Sequence, residues 1–107
     1  MLVNLTPHSI NIITSEGVET TLPKCENPPR LNEEVNHMDY TTEGVEIVTK
    51  QFDLDCDLPP VKAGVYYIVP ILIAQQIKYR DDLLVTDDPI RDVEGRIVGC
   101  RRLAFVV

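Results

Sequence analysis

The sequence predicts an α+β domain that is mostly β, with about six strands in a single small sheet or partly open barrel and one short helix. Several stretches alternate apolar and polar residues with the period of two that is typical of strands. Turns that contain glycine or proline separate these stretches at short intervals. Only the stretch after Pro70 spaces its apolar residues as a helix does. The 107 residues have the length of one domain, which we assign to 1–107.

A β-hairpin is predicted near the beginning of the chain. Ile10 and Ile12 alternate with polar residues, as one arm of a hairpin does. Ser15-Glu16-Gly17 is a turn signal, and Val18 to Leu22 is rich in β-branched residues that favour a returning strand. Pro7 fixes its own backbone angle and lacks an amide donor, so we expect the chain to enter the hairpin from a bend.

Residues 24–42 give the least regular pattern, and we predict that they form a loop or an insertion. Asn27-Pro28-Pro29-Arg30 is expected to be extended, because each proline restricts the residue before it. Leu31 to His37 fits either one helical turn or a short strand. Gly44 to Phe52 then shows a strand pattern. Val45, Ile47 and Thr49 are predicted to lie on one face, and Glu46, Val48 and Lys50 on the other.

The second half of the chain contains the predicted central strand and the helix. Val65 to Val69 is apolar on both faces and rich in β-formers, which is typical of a strand with neighbours on both sides. Pro70 suits the first turn of a helix, where its missing donor costs nothing. We expect the helix to end near Tyr79. Its apolar stripe consists of Ile73, Ala74 and Ile77.

The chain is predicted to end with two strands. Leu83 to Val85 is a short buried strand, which Asp87-Asp88-Pro89 is expected to end. Asp92 and Gly95 occupy the first and fourth positions of a type I turn, where these residue types are favoured. Arg96 to Val107 then forms the last strand, with a bulge at Gly99.

Charge and hydropathy exclude several classes of protein. The net charge of −7 disfavours nucleic acid as a partner, since phosphate contacts need a basic face. The longest apolar run, 65–74, is about half the length of a membrane span, so no membrane association is expected. The first residues lack the features of a signal peptide, and we therefore expect a cytoplasmic protein. The acidic middle, Glu33 to Asp57, is interpreted as a solvated surface or as a face that docks on a basic partner.

No sequence motif implies a metal or a cofactor. Cys25, Cys56 and Cys100 lie far apart in the sequence, whereas structural zinc sites bring ligands in closely spaced pairs. We interpret the three cysteines as reduced packing residues, with a Cys25–His37–Cys56 metal cluster as the alternative. Because the chain contains no glycine-rich phosphate loop, nucleophile elbow or His pair at metal spacing, whether it is an enzyme stays open.

Two polar clusters are candidate functional sites. In Asn4-Leu5-Thr6-Pro7-His8, the bend can hold the imidazole of His8 in position. The ring can then act as an acid or a base, or donate a hydrogen bond to a phosphate. The structural alternative is that Asn4 and Thr6 satisfy backbone groups and His8 caps a strand end. The second cluster offers guanidinium groups for an anion and carboxylates that orient them, or else salt bridges between strands. Its members are Arg80, Asp82, Arg91, Asp92 and Arg96.

Four segments together resemble a family of small bacteriophage and prophage proteins that are usually described as uncharacterised. The segments are Asn4 to His8, Gly64 to Val69, Arg80 to Leu83 and Ile90 to Cys100. The resemblance covers both ends and much of the C-terminal half, but not 24–42, and the family tends to have Ser in place of Pro70. It implies a phage-like origin, and small phage proteins of this kind often inhibit or sequester components of host defence.

The leading hypothesis is that the two polar clusters meet and bind a small anionic molecule, a nucleotide or a phosphorylated metabolite. Arg80, Arg91 and Arg96 would hold the anion and Asp82 and Asp92 would orient them, while Asn4, Thr6 and His8 read or cap the ligand. One alternative is an enzyme with His8 as general acid or base. Another is an inhibitor whose acidic middle binds a host protein, and association through a sheet edge would give a homo-oligomer.

Overall fold

A computed structural model describes all of residues 1–107 and confirms the mostly β prediction. It contains one short helix, a six-stranded sheet that is nearly closed, and a separate two-stranded sheet. No helix is long and apolar enough to cross a membrane. The elements are β1 (Leu2–Asn4), β2 (Ile10–Ile13), β3 (Glu19–Leu22), β4 (Leu31–Tyr40), β5 (Glu46–Leu54), β6 (Tyr66–Ile68), α1 (Ile71–Gln76), β7 (Leu83–Arg91) and β8 (Ile97–Ala104).

The large sheet has the order β1-β6-β7-β8-β2-β3. β1, β6 and β7 are parallel to one another, and β7 and β8 form an antiparallel pair. β2 is parallel to β8, and β3 returns antiparallel to β2, as the predicted hairpin requires. The chain just after β3 then lies beside the end of β1, where the amide of Cys25 donates to the carbonyl oxygen of Thr6 at 2.9 Å. The sheet is therefore a barrel with a seam between β1 and β3.

Two apolar clusters lie on opposite faces of this sheet, because side chains alternate along β6 and β7. All six strands contribute to the first cluster, which therefore fills the barrel interior: Ile10, Ile12, Ile68, Leu84 and Cys100, with Leu2, Leu22 and Leu103 at its margin. The second cluster lies between the outer face and α1, and its buried members are Leu5, Tyr67, Val69, Ile73, Ala74, Leu83 and Val85. As predicted, β6 is central and apolar on both faces.

The helix α1 has the predicted apolar stripe but is shorter than expected. Ile73 and Ala74 are buried against β7, and Ile77 packs at the margin of the outer cluster. Pro70 takes the position just before the first turn, with an extended backbone (φ −60°, ψ 149°). The helix ends at Gln76 rather than near Tyr79, because the backbone of Ile77 leaves the helical region (φ −104°, ψ 81°).

The prediction of a loop for 24–42 is wrong for most of that segment. Leu31–Tyr40 is a ten-residue strand that pairs with β5 from Leu31 opposite Leu54 to Tyr40 opposite Glu46. Of the two alternatives for Leu31 to His37, the strand is therefore correct. We call the paired segment 31–54 the arm. Its base packs on the outer cluster through Leu31 and Leu54, and the rest of the arm extends away from the sheet.

β7 is longer than predicted, because Asp87-Asp88-Pro89 does not end it. Asp88 adopts a positive φ of 56°, and the strand continues to Arg91. Pro89, which has no amide to donate, lies opposite Cys100. The predicted bulge falls one residue from Gly99: the register passes from Gly99 to Ile97 and leaves Val98 as the extra residue of β8.

Candidate ligand-binding groove

An open groove of about 1030 Å³ lies where β1 and β6 end and where β8 begins. Four segments line it: 6–11, 68–71, 85–89 (without Asp88) and 97–100. Because β1 and β6 are parallel, the residues that follow both strands lie at the same edge of the sheet. Side chains at such an edge are carried by a rigid sheet, which suits a binding site.

The wall of the groove is largely apolar and exposed. Ile71 is 54% exposed, Ile97 61% and Val98 45%. The floor is formed by buried side chains of the barrel, including Ile10, Ile68 and Cys100. The polar side chains that line it are Thr6, His8, Ser9, Asn11, Thr86 and Asp87. A surface of this kind can contact both a flat apolar group and polar atoms of one ligand.

Asn4 is buried, and its amide group holds together the edge of the sheet beside the groove. Its Nδ2 donates to the carbonyl oxygens of His8 at 2.8 Å and Pro23 at 3.0 Å. Its Oδ1 accepts from the backbone amide of Thr6 at 2.9 Å and lies 2.7 Å from Thr6 Oγ1. All of the amide's hydrogen-bonding groups are therefore in use, and the bond to Pro23 crosses the seam of the barrel.

Thr6 and His8 line the groove in different ways. The hydroxyl of Thr6 lies 2.7 Å from Asn4 Oδ1 and 2.9 Å from the carbonyl oxygen of His8, and it can donate to one of them at a time. The hydrogen bonds of His8 all run through its backbone. Its exposed imidazole thus extends from a backbone that Asn4 fixes, and both ring nitrogens are available to a ligand.

Arg91, Asp92 and Arg96 stabilise the turn between β7 and β8. Asp92 Oδ1 accepts from the amides of Glu94 at 2.9 Å and Arg96 at 3.0 Å. Arg91 Nη1 donates to the carbonyl oxygen of Gly95 at 2.8 Å, and Arg96 pairs with both carboxylates of the turn. The turn lies at the same end of the sheet as the groove, since Ile97 lines the groove and pairs with Arg91.

Arg80 and Asp82 form a tight ion pair outside the groove. Arg80 Nε and Nη2 donate to the two carboxylate oxygens of Asp82, each at 2.8 Å, and Nη2 also donates to the carbonyl oxygen of Pro59. The guanidinium lies 6.0 Å from the centre of the Tyr67 ring. Asp82 is only 4% exposed, and its bond to Arg80 lowers the pKa of its carboxyl group.

The structure brings together only part of the predicted site. Arg80 and Asp82 come just before β7, whereas Arg91 ends that strand. Nine residues in a strand span roughly 26 Å at about 3.3 Å per residue, so the two ends of β7 are far apart. Thr6 and His8 share the groove, and the 91–96 turn adjoins it.

Several groove residues were not predicted from the sequence. Ile71, Ile97 and Val98 look like core residues in a linear pattern, and only the bulge in β8 and the end of β6 place them at one open edge. The sequence predicts that Asp87 belongs to the segment that ends a strand, yet Asp87 lines the groove. It also pairs with Arg102 at 2.6 Å, which lowers the pKa of the Asp87 carboxyl group. No local sequence signal identifies these residues, because pairing between distant strands brings them together.

The cysteines are not all packing residues. Cys100 is buried in the barrel, where burial raises the pKa of its thiol, and Cys25 is half-buried. Cys56 is exposed, and a hydrogen bond to Asp55 raises the pKa of its thiol. No group of three His, Cys, Asp or Glu side chains is arranged to hold a metal ion.

Comparisons with family models, with curated proteins and with solved structures gave no match.

Proposed function

We propose that the protein is a binding module for a small anionic molecule, a nucleotide or a phosphorylated metabolite, which it holds in the groove. The observation that carries the proposal is that the free imidazole of His8 lines the same groove as the exposed apolar side chains of Ile71, Ile97 and Val98. Exposed apolar side chains beside a few polar groups are typical of small-ligand sites.

The two kinds of side chain that line the groove suit the two parts of such a ligand. Its volume of about 1030 Å³ is close to the upper end of the range for small-molecule sites, roughly 300–1,000 Å³. The apolar wall would cover a base or another ring, and a nitrogen of His8 would donate to a phosphate oxygen. Arg96, whose side chain is 72% exposed on the adjacent turn, would add positive charge near the phosphate.

Not all of the residues predicted for the site would contact the ligand in this proposal; some would hold the structure around it. Asn4 positions the loop that carries His8 and does not itself reach the ligand, because its amide is fully bonded. Arg80 and Asp82 secure the far end of β7. Arg91 and Asp92 shape the turn from which Arg96 extends.

The resemblance to phage proteins suggests the biological setting of the proposal. A phage-encoded protein in the host cytoplasm that binds a small anion tightly and releases it unchanged would sequester that molecule. Components of host defence with this chemistry are the proposed ligands, and binding without turnover is the proposed mode of action.

Calorimetry with a nucleoside, its mono- and diphosphate, and inorganic phosphate tests the proposal. We expect the phosphorylated forms to bind more tightly than the nucleoside. Val98→Asp should weaken binding at least tenfold, or about 1.4 kcal/mol, because it places a carboxylate in the apolar wall. Val18→Asp is the matched control, since Val18 is exposed, lies outside the groove and follows the end of β2 that is away from it, and it should bind as the wild type does.

His8→Ala separates the role of the imidazole from that of the wall. It should weaken binding of the phosphorylated forms while leaving the nucleoside unaffected. Bound ligand should be recovered chemically unchanged, whereas conversion that stops in His8→Ala would favour the enzyme alternative instead. Equal affinity of Val98→Asp and Val18→Asp for every compound, or no binding at all, would rule out the groove as the site.

A further inference from the structure

The chain exposes more surface than a compact protein of its mass. Its accessible surface is 7733 Å², whereas a folded monomer of 12.1 kDa is expected to expose about 6,000 Å². Its radius of gyration is 17.1 Å, against about 13 Å for a compact domain of this length. The arm accounts for the difference, because every residue of β4 after Leu31 is exposed. The excess of roughly 1,700 Å² is about twice the roughly 800 Å² that each partner contributes to a standard protein–protein interface.

The two faces of the arm differ in chemistry, because side chains of paired strands alternate between the faces. One face, which we call the apolar face, carries Leu31, Glu33, Val35, His37, Tyr40, Glu46, Val48, Lys50, Phe52 and Leu54. The opposite face, which we call the acidic face, carries Asn32, Glu34, Asn36, Asp39, Ile47, Thr49, Gln51 and Asp53.

Charges on the apolar face are paired within the chain. Lys50 Nζ lies 2.7 Å from Glu33 Oε1, and His37 Nδ1 lies 3.0 Å from Glu46 Oε2. These pairs flank side chains that are largely exposed, with Val35 at 52%, Val48 at 37% and Tyr40 at 60%. The carboxylates of Glu34, Asp39 and Asp53 make no ion pair, and they lie on the acidic face. The face that exposes most apolar surface is therefore also the face that can be covered without leaving a carboxylate unpaired.

A two-stranded sheet that extends into water is marginally stable without further packing. Only the base of the arm has such packing: Leu31 and Leu54 contact the outer cluster, and Phe52 is half-buried. Toward the tip, Val35, Val48 and Tyr40 continue the same apolar face with nothing over it. The arm therefore needs a partner that covers the apolar face and leaves the acidic face in solvent.

We propose that this partner is a second copy of the chain, and that the apolar faces of two arms pack on each other in a symmetric dimer. A two-fold contact uses the same patch on both copies, so it requires a surface that complements itself. An apolar stripe flanked by the Lys50–Glu33 ion pair and the His37–Glu46 hydrogen bond meets that requirement. Because only the apolar face is covered, about half of each chain's excess would be buried, or roughly 1,700 Å² in all, which is the size of a standard protein–protein interface, about 1,600 Å². The proposal is independent of the ligand and of the groove.

A basic partner is the alternative occupant, but it would be drawn to the other side of the arm. The unpaired carboxylates lie on the acidic face, where an attractive field would orient a basic protein. Covering the apolar face with such a protein would require Glu33 and Glu46 to exchange their present partners. The charges thus favour a second copy on the apolar face.

Sedimentation equilibrium of the full chain in about 0.15 M salt tests the proposal. We expect a species of twice the 12.1 kDa chain mass at micromolar concentration. Val48→Glu should raise the dimer dissociation constant at least tenfold, because it buries an unpaired carboxylate in the interface. Thr49→Glu is the matched control: it adds the same charge one residue along β5 on the acidic face, and the dimer should persist.

Hydrogen exchange of the wild type tests the arm without any substitution. Amides of 31–54 should become more protected as protein concentration rises, whereas those of β6 and β7 should not change. This result separates loss of the dimer from loss of folding in Val48→Glu. A wild type that stays at 12.1 kDa, protection of the arm that does not depend on concentration, or equal effects of Val48→Glu and Thr49→Glu would each overturn the proposal.

Discussion

At the scale of single residues, Asn4 shows why a motif can be identified from sequence while its role cannot. Its buried amide bonds to His8, Thr6 and Pro23 and so joins the start of the chain to the segment after β3. Of the two roles that the sequence predicts for Asn4, satisfying backbone groups is the one that its side chain performs. The partner across the seam, Pro23, lies in a segment with no regular pattern, so sequence alone does not reveal that contact.

Asp82 gives a prediction about stability and pH. Replacing it with Asn should lower the free energy of unfolding by about 3 kcal/mol at pH 7, because Arg80 would lose its carboxylate while only 11% of its side chain is exposed. Urea unfolding measures the difference. Asp81→Asn is the control, since Asp81 is exposed next to Asp82, and it should change stability little.

The same pair fixes the direction of the pH effect. Arg80 holds the pKa of the Asp82 carboxyl below its usual value, so the folded state binds this proton more weakly than the unfolded chain does. The stabilisation is complete above the unfolded pKa, about 3.9, and is lost as pH falls through the folded pKa. The wild type and Asp82→Asn should therefore approach each other in stability as pH falls below about 4. A constant difference down to the acid transition would contradict this explanation.

At the scale of elements, local patterns identified the strands that pack on the core. β2, β3 and β6 follow from alternation or from a run of β-formers, and the stripe of α1 follows from its spacing. β1 was missed because three residues are too few to show a period. For β4 the local pattern left a helical turn and a short strand as alternatives, and the second half of β7 was missed. In both cases, pairing with the next strand, β5 or β8, overrides weak local preference.

Contact between β2 and β8 gives a prediction at this scale. A Cβ on Gly99 would lie 2.9 Å from the carbonyl oxygen of Asn11, a backbone atom that cannot turn away. Gly99→Ala should therefore push β2 from β8 and lower the free energy of unfolding by about 1–3 kcal/mol. Chemical shifts should change along β2 as well as at the substitution.

Gly95→Ala is the comparison for this experiment. Its added methyl group meets open space, while its φ of 83° strains the turn itself. Shift changes should then stay within the turn between β7 and β8. If Gly99→Ala left the shifts of β2 unchanged, the close approach of these strands would not be the reason for glycine there.

At the scale of the whole molecule, the sequence predicted a barrel-like sheet but not which polar clusters would meet. Arg80 and Arg91 are eleven positions apart in the chain, yet β7 carries them to opposite ends of the sheet. His8 and Ile97 are far apart in the chain, yet both line one groove. Such relations depend on strand order and direction, which a single sequence does not determine.

Charge is also distributed unevenly over the whole molecule, and this leads to a prediction about salt. The arm contributes a net −5 of the chain's −7, because it contains six acidic residues and one lysine, Lys50. The acidic residues are Glu33, Glu34, Asp39, Glu43, Glu46 and Asp53. Two arms in one dimer repel each other through these charges. Raising NaCl shortens the screening length from about 30 Å at 0.01 M to about 3 Å at 1 M, so the proposed dimer should become tighter with salt.

Sedimentation equilibrium across this salt range measures the effect, and the two arm variants sharpen it. Thr49→Glu adds repulsion on the acidic face, so its dimer should weaken most at low salt and approach the wild type at high salt. Val48→Glu should stay weak throughout, because salt does not restore a buried contact. Docking of the acidic face on a basic partner would show the opposite dependence, since attraction between unlike charges weakens with salt. The sign of the salt effect thus distinguishes a dimer held by the apolar face from a complex held by the acidic one.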